Sequence, residues 1–273
     1  MTRPANTSRF IRILPDIAAF ALSLGLAYGL HWQTADLVWG LWLSSLVLGY
    51  LSLLSAIAAP ALMGLYIISR PDLTGKQRVV IVCGACTGAL FLLGFFSLHF
   101  CGFHAGHAVF LNHFFPLPSL PGDSFGNAFM NPPLLWLLAW RHLVRPYGLF
   151  LIPTIIAERH HIFKPLISAV KGLRNAAAGE TPTPQMLEKR DPSRMGDAMM
   201  RPYVNVVRMH LLIFFFAFTH TLSPDSFLIY ATVYTVYFFP WQELKSTLAK
   251  KKPPRAQRQN PRNQRIKNLR ADA

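Results

Sequence analysis

The sequence predicts an all-α, polytopic transmembrane helical bundle of about six helices, with both termini in the cytoplasm. Of the 273 residues, 52% are hydrophobic and 21 are Phe, which is more apolar surface than an ordinary water-soluble domain carries. Several windows of about 20 residues contain few charges, and this is the length that a helix needs to cross hydrocarbon. The basic residues cluster in alternate connections between these windows, as expected of a protein of the bacterial inner (cytoplasmic) membrane.

The first two spans are predicted at residues 11–30 and 37–58. The first is interpreted as a retained helix, because no small-residue cleavage site follows it. Asp16 lies inside this span, and we expect it near the membrane boundary or paired with an arginine. Tryptophans in and before the second span are interpreted as anchors at the membrane surface. They are Trp32, Trp39 and Trp42.

The third span is predicted at residues 79–115, and histidines crowd into its last part. Histidine is rare inside a bilayer and usually faces a bundle interior, so a metal or proton site is predicted here. We expect His99 and His107 to be buried against other helices, because an imidazole without polar partners in hydrocarbon costs several kcal/mol. His104 lies between them. Two glycines in the same stretch, Gly102 and Gly106, permit a bend.

Three further spans complete the predicted domain of residues 1–244, at 134–157, 203–222 and 227–241. Residues 158–201 are predicted to form a polar cytoplasmic loop. The fourth span is interrupted by cationic side chains, which either reach out to the membrane surface beside tryptophans or face a polar interior. The interrupting residues are Arg141, His142 and Arg145.

Charge distribution supports this topology independently. The connections after the first, third and fifth spans contain no Lys or Arg, which places them outside and both termini inside. The tail of residues 245–273 is strongly basic and poor in apolar residues, so we expect it to be disordered and to contact anionic lipid headgroups, with no specific nucleic acid as a partner. The basic residues at its start are Lys250, Lys251, Lys252, Arg255 and Arg258.

Two motifs resemble an uncharacterised integral-membrane family of bacteria and archaea, a domain of unknown function. The first motif runs from His99-Phe100-Cys101-Gly102-Phe103 to His107, and the second from Pro202-Tyr203 to Met209-His210. The resemblance singles out His99, His107 and His210 and treats His104 as local variation. Because the family has no assigned activity, the resemblance implies an architecture and site candidates only, and whether the protein is an enzyme stays open.

The leading functional hypothesis is an intramembrane histidine cluster that binds a metal ion or haem. Imidazole accepts copper, zinc, iron and haem alike, so the ligand type does not select the metal. The alternative is a proton-linked transporter or a membrane assembly or scaffold protein without a cofactor. The metal-site candidates are His99, His104, His107, His210, His220 and Asp36.

Other motifs are explained more simply. Cys83 and Cys86 have the spacing of a redox pair, but they lie in an apolar helix without a second pair and are interpreted as small packing residues. Cys101 beside His99 is compatible with copper or zinc. The string Gly122–Gly126 fits a nucleophile elbow formally, yet it sits in a proline-rich connection where turn residues are expected.

Overall fold

The computed structural model describes residues 7–120 and 122–177, together with Val207, Leu211, Phe215, Ala231, Thr235 and Phe239. Within these residues every regular element is helical and no strand occurs. The chain divides into two units, and the second, Pro15–Phe239, contains nearly all of the described residues. The predicted basic tail and nearly all of the predicted fifth and sixth spans lie outside the described residues.

The first helix, α1, covers Thr7–Gly29 and ends in a Schellman motif. The amide of His31 donates to the carbonyl oxygen of Tyr28 (3.1 Å), and the amide of Trp32 donates to that of Ala27 (2.9 Å). His31 has a φ of 53°, the left-handed conformation that this motif requires and that glycine adopts more easily. The sharp stop explains why α2 can begin only a few residues later.

The next two helices are the long ones. α2 covers Thr34–Ile68 and α3 covers Gly75–Phe114, with 35 and 40 residues. Both are long and apolar enough to cross a membrane. At 1.5 Å per residue α3 is about 60 Å long, roughly twice the thickness of a bilayer's hydrocarbon core. Part of this helix must therefore extend beyond any bilayer that it crosses.

The sequence permits a bend of α3 at Gly102 and Gly106, but the helix runs unbroken through both. These glycines serve close packing. A Cβ atom on Gly102 would lie 3.3 Å from the carbonyl oxygen of Phe129, and one on Gly106 would lie 3.7 Å from the Phe129 ring. The missing side chains thus allow the connection that follows α3 to pack directly on the helix.

The predicted fourth span at 134–157 is divided into several elements. Two short helices, α4 (Ser124–Asn127) and α5 (Pro132–Ala139), precede a π-helical turn at Trp140–Val144. After α6 (Arg145–Tyr147) and a 3-10 turn (Gly148–Phe150), helix α7 covers Leu151–Ala177. Residues 158–177, predicted as the start of a cytoplasmic loop, therefore continue a helix.

Prolines explain the irregular turns. Pro146 has no amide hydrogen to donate to the carbonyl four residues earlier, and its ring crowds that carbonyl, so the π turn lies just before it. Pro153 stands in the same relation to the 3-10 turn at Gly148–Phe150. The chain thus changes its helical geometry twice within about ten residues.

The segment 115–147 leaves from and returns to the same end of the bundle. It starts where the indole of Trp39 donates to the carbonyl oxygen of Phe115 (2.9 Å). Farther along, Trp136 packs edge-on against Tyr50, with ring centroids 5.0 Å apart. The segment ends at Tyr147, whose hydroxyl donates to Asp36 near the start of α2 (3.0 Å). It therefore enters the bundle beside α2 and turns back without crossing to the other end.

The tryptophans in and just before α2 lie in the hydrophobic core, so the interpretation of Trp32, Trp39 and Trp42 as surface anchors is wrong. All three are buried, and Trp39 and Trp42 are at most 1% exposed. Trp39 stacks on Phe125 at 5.6 Å. The indole nitrogens of Trp39 and Trp42 donate to backbone carbonyls of Phe115 and His104. These two side chains therefore need no hydrogen-bonding partner at a membrane surface.

Candidate functional site: the histidine face of α3

The candidate site is one buried face of α3, named here the histidine face. Its residues are spaced by three or four positions, which places them on one side of a helix. Each of them is at most 8% exposed, and Phe96, Phe100 and His104 contact residues of α2. The histidine face consists of Phe96, Phe100, His104, His107 and Leu111.

His104 lies at the centre of this face and is fully buried. Its Nδ1 atom is 3.0 Å from the carbonyl oxygen of Phe100, and its Nε2 atom is 3.2 Å from the hydroxyl oxygen of Ser45 on α2. A carbonyl can only accept, so Nδ1 carries the proton and Nε2 accepts from the serine hydroxyl. Both ring nitrogens of a neutral imidazole are thereby satisfied by protein atoms.

Aromatic rings hold the His104 imidazole in place. The Phe100 ring lies 4.2 Å from it and the Trp42 ring 5.7 Å, measured between ring centroids. The indole of Trp42 also donates to the backbone carbonyl of His104 (3.0 Å). With contacts on ring faces, ring nitrogens and backbone, this side chain is fixed in one orientation.

His107 shares the buried side of α3 and is 8% exposed, so the prediction that it is buried is confirmed. Its ring centroid is 6.2 Å from that of His104. The two imidazole rings are therefore neighbours on the buried side of α3.

His99 lies on the other side of α3, so the prediction that it is buried is wrong. Its side chain is exposed, and it stacks on Phe95 at 5.6 Å and meets Phe103 edge-on at 5.0 Å. The five-residue interval to His104 corresponds to about 140° around a helix, which separates the two side chains. His99 is exposed whereas His107 is buried, and the two lie about 12 Å apart along the helix axis, so they do not face a common point.

Cys101 also points away from His99. Its thiol is buried and lies 3.1 Å from the hydroxyl oxygen of Tyr50 on α2. Residues two positions apart in a helix are separated by about 200° around its axis, so Cys101 and His99 lie on opposite sides of α3. The suggested thiolate and imidazole pair at this position does not form.

Asp36 acts at the start of α2. One carboxylate oxygen accepts from the backbone amide of Gln33 (2.9 Å), the reciprocal half of a capping box, and the other accepts from the hydroxyl of Tyr147 (3.0 Å). Both oxygens are thus engaged in holding helix ends together. This metal-site candidate has a structural role in the described fold.

Asp16 pairs with an arginine, as expected from the sequence. Its carboxylate lies 2.5 Å from a guanidinium nitrogen of Arg159, with the two side chains 18% and 25% exposed. The same nitrogen donates to the carbonyl oxygen of Ile156. The pair connects α1 to α7 in a largely buried position.

Within residues 7–120 and 122–177, no group of three or more His, Cys, Asp or Glu side chains is arranged to hold a metal ion. His104 and His107 are near each other, His99 is on the far side of its helix, and Asp36 caps α2. His210 and His220 lie outside the described residues, as do Lys250, Lys251, Lys252, Arg255 and Arg258.

A family model matches residues 2–161, more than half of the chain, and its description is a family of unknown function, DUF6498. The chain belongs to this family. The resemblance to a domain of unknown function, inferred from the sequence, is thereby confirmed. No curated protein and no solved structure matches the chain. The matched region contains α1 to α3 and the whole histidine face, which makes that face part of the DUF6498 region.

Sequence reasoning missed the residues that complete the site on α2. They are Trp42 and Ser45, which contact His104, and Tyr50, which contacts Cys101. Their spacing of three and five positions gives no strong signal in a helix that is apolar on every side. The two serines Ser44 and Ser45 amid leucines were an available indication, because buried hydroxyls need partners.

Proposed function

We propose that this DUF6498 member is a multi-pass protein of the bacterial inner membrane, with about six spans and both termini cytoplasmic, that acts as a membrane assembly or scaffold protein without a cofactor. The observation that carries this proposal is the exposure of the first half of α3. Large apolar side chains there project on all sides, with Val80 and Leu90 each 70% exposed and Phe91 68% exposed. An apolar helix without cover in water is strongly unfavourable, and lipid supplies the cover.

The state of the buried histidine supports the absence of a cofactor. Both nitrogens of His104 already bond to protein atoms, so a metal ion would have to displace the Ser45 hydroxyl from Nε2. Buried imidazoles that bond across two helices fix helix packing, which is what a scaffold requires. The basic tail extends this proposal, with anionic lipid headgroups as its partner.

Two measurements on one preparation test the proposal. Membranes from cells expressing the chain are washed at alkaline pH, and the purified protein is then examined by elemental analysis and optical absorption. We expect the protein to stay in the membrane pellet, with no stoichiometric metal and no haem band. Release by the wash contradicts membrane embedding. One bound metal or haem per chain, lost in the His104→Asn variant, contradicts the cofactor-free assignment.

A proton-linked transporter is the second candidate, and the irregular turns between α5 and α7 favour it. Transporters build their sites from interrupted helices, and here a π turn and a 3-10 turn lie within one helical run. His142 is in this run and contacts Ser119, with Nδ1 3.2 Å from the hydroxyl oxygen. A proton flux in proteoliposomes that is abolished in His142→Gln supports this candidate. A flux that is absent from both proteins leaves the scaffold role as the function.

A further inference from the structure

Positive charge is concentrated at the surface of the turn between α5 and α6. Arg141 and Arg145 are both exposed, and in the described part of the chain neither has a carboxylate partner, whereas Arg70 pairs with Asp72 and Arg159 with Asp16. Two unpaired cations this close together repel each other. A bound anion would remove that repulsion.

The π turn determines how the two arginines are presented. A π turn closes its hydrogen bonds over five residues, so side chains four positions apart project from the same side. His142, next to Arg141, contacts Ser119 and so ties the turn to the connection after α3. The two arginines therefore lie on a turn that is held by a contact with the connection after α3.

Apolar side chains surround this pair of cations. Trp140 is 69% exposed, and Leu137 and Leu149 are 42% and 58% exposed. Exposed tryptophan beside arginine is characteristic of the boundary between hydrocarbon and headgroups. The turn also lies near the end of the bundle at the start of α2, because Tyr147 bonds to Asp36 there.

We propose that Arg141 and Arg145 form a docking site for the phosphate of an anionic phospholipid, with Trp140 and Leu137 contacting its acyl chains. The proposal rests on the proposed membrane location. This surface complements such a lipid in charge and polarity, since guanidinium groups bind phosphate oxygens in pairs and the adjoining apolar surface matches a lipid tail. A free phosphate ion matches the cations but leaves the apolar flank uncovered.

Lipid binding to the purified full-length chain tests this site. Phosphatidylglycerol and phosphatidylcholine are titrated separately in detergent, and bound lipid is counted by native mass spectrometry. Each cation near an anionic lipid accounts for about fivefold in binding, so Arg141→Gln/Arg145→Gln should weaken phosphatidylglycerol binding about 25-fold. Binding of phosphatidylcholine, which is not anionic, should change much less. Arg141→Lys/Arg145→Lys keeps the charge and should retain most of the affinity.

A matched control separates a site from general charge. Lys171→Gln/Arg174→Gln removes two exposed cations from α7 and should leave phosphatidylglycerol binding unchanged. Equal loss in both double variants overturns the proposal, as does unchanged binding in the arginine variant. Displacement of phosphatidylglycerol by millimolar inorganic phosphate overturns the assignment to lipid. Alkaline extraction of the same variants reports on membrane embedding separately, so failure of the docking site is distinguishable from failure of the membrane proposal.

Discussion

Replacing Gly49 by alanine should disrupt a close contact between α2 and α3. A Cβ atom at this position would overlap the Phe100 ring, with Cζ nearest, Cε1 at 2.6 Å and Cε2 at 3.1 Å. The ring cannot move aside easily. It is fully buried between Phe96 at 4.5 Å and His104 at 4.2 Å, so any shift disturbs the histidine face.

The expected cost is at the upper end of what overpacking a core causes. Inserted methyl groups in well-packed interiors typically cost about 1–3 kcal/mol, and here three ring atoms are overlapped or crowded at once, so we expect about 3 kcal/mol. For a chain of this size that lowers the unfolding temperature by about 6–12 °C. Thermal unfolding of the purified protein in detergent, followed by circular dichroism, measures the difference.

Gly64→Ala is the matched control, because it lies in the same helix and a Cβ atom there meets nothing within 4 Å. It should be neutral or stabilising by up to about 1 kcal/mol, since alanine is the better helix former. Shrinking the obstructing ring in Gly49→Ala/Phe100→Leu should recover part of the loss, as expected of two residues in direct contact. The packing argument is refuted if Gly49→Ala unfolds at the same temperature as Gly64→Ala.

Three further variants test a helix end, a hydrogen bond and an ion pair by the same thermal assay. His31→Gly should raise stability by about 1 kcal/mol, because glycine accepts the left-handed φ of 53° at lower cost, and a loss of stability would contradict the Schellman assignment. Tyr147→Phe should lower stability by about 1.5–3 kcal/mol, the range for a hydrogen bond to a charged group. An unchanged unfolding temperature would show that the contact with Asp36 is not formed. Asp16→Asn should lower stability by about 3 kcal/mol, because it leaves the Arg159 charge unpaired. The double variant Asp16→Asn/Arg159→Gln should be less destabilised than Asp16→Asn. A simple packing role does not predict that recovery.

Helix positions were largely predictable from the sequence. The first three spans, predicted at 11–30, 37–58 and 79–115, correspond to α1, α2 and α3, because unbroken apolar runs leave little choice of secondary structure. The pairing of Asp16 with an arginine was also expected, because a carboxylate inside an apolar span needs a cationic partner.

The orientation of α3 was not predictable in the same way. Its two sides are nearly equally apolar, so periodicity gives no direction, and the choice between His99 and His104 as the buried residue depends on where α2 packs. The resemblance favoured His99 over His104, and the structure buries His104 instead. The contact with Ser45 arises from residues 59 positions apart, which no local pattern contains.

The interruption of the predicted fourth span was hidden for a related reason. Residues 134–157 have the length and composition of one span, and composition does not reveal that the helix is broken. The signals were Pro146 and Pro153, whose missing amide hydrogens interrupt the helix on both sides of Gly148–Phe150. Two prolines seven residues apart inside a predicted span indicate that the helix is interrupted there.

The most direct test of the membrane account is the environment of the exposed half of α3. Single spin labels are placed at Val80 and Leu90 in a cysteine-free background, and at Lys76 as the aqueous control, in protein reconstituted into liposomes. The account predicts that labels at Val80 and Leu90 collide with oxygen, which dissolves in hydrocarbon, far more often than with a water-soluble nickel chelate, and that Lys76 shows the reverse. Preferential collision with the nickel chelate at Val80 and Leu90 would contradict the account, because it would place this apolar helix in water.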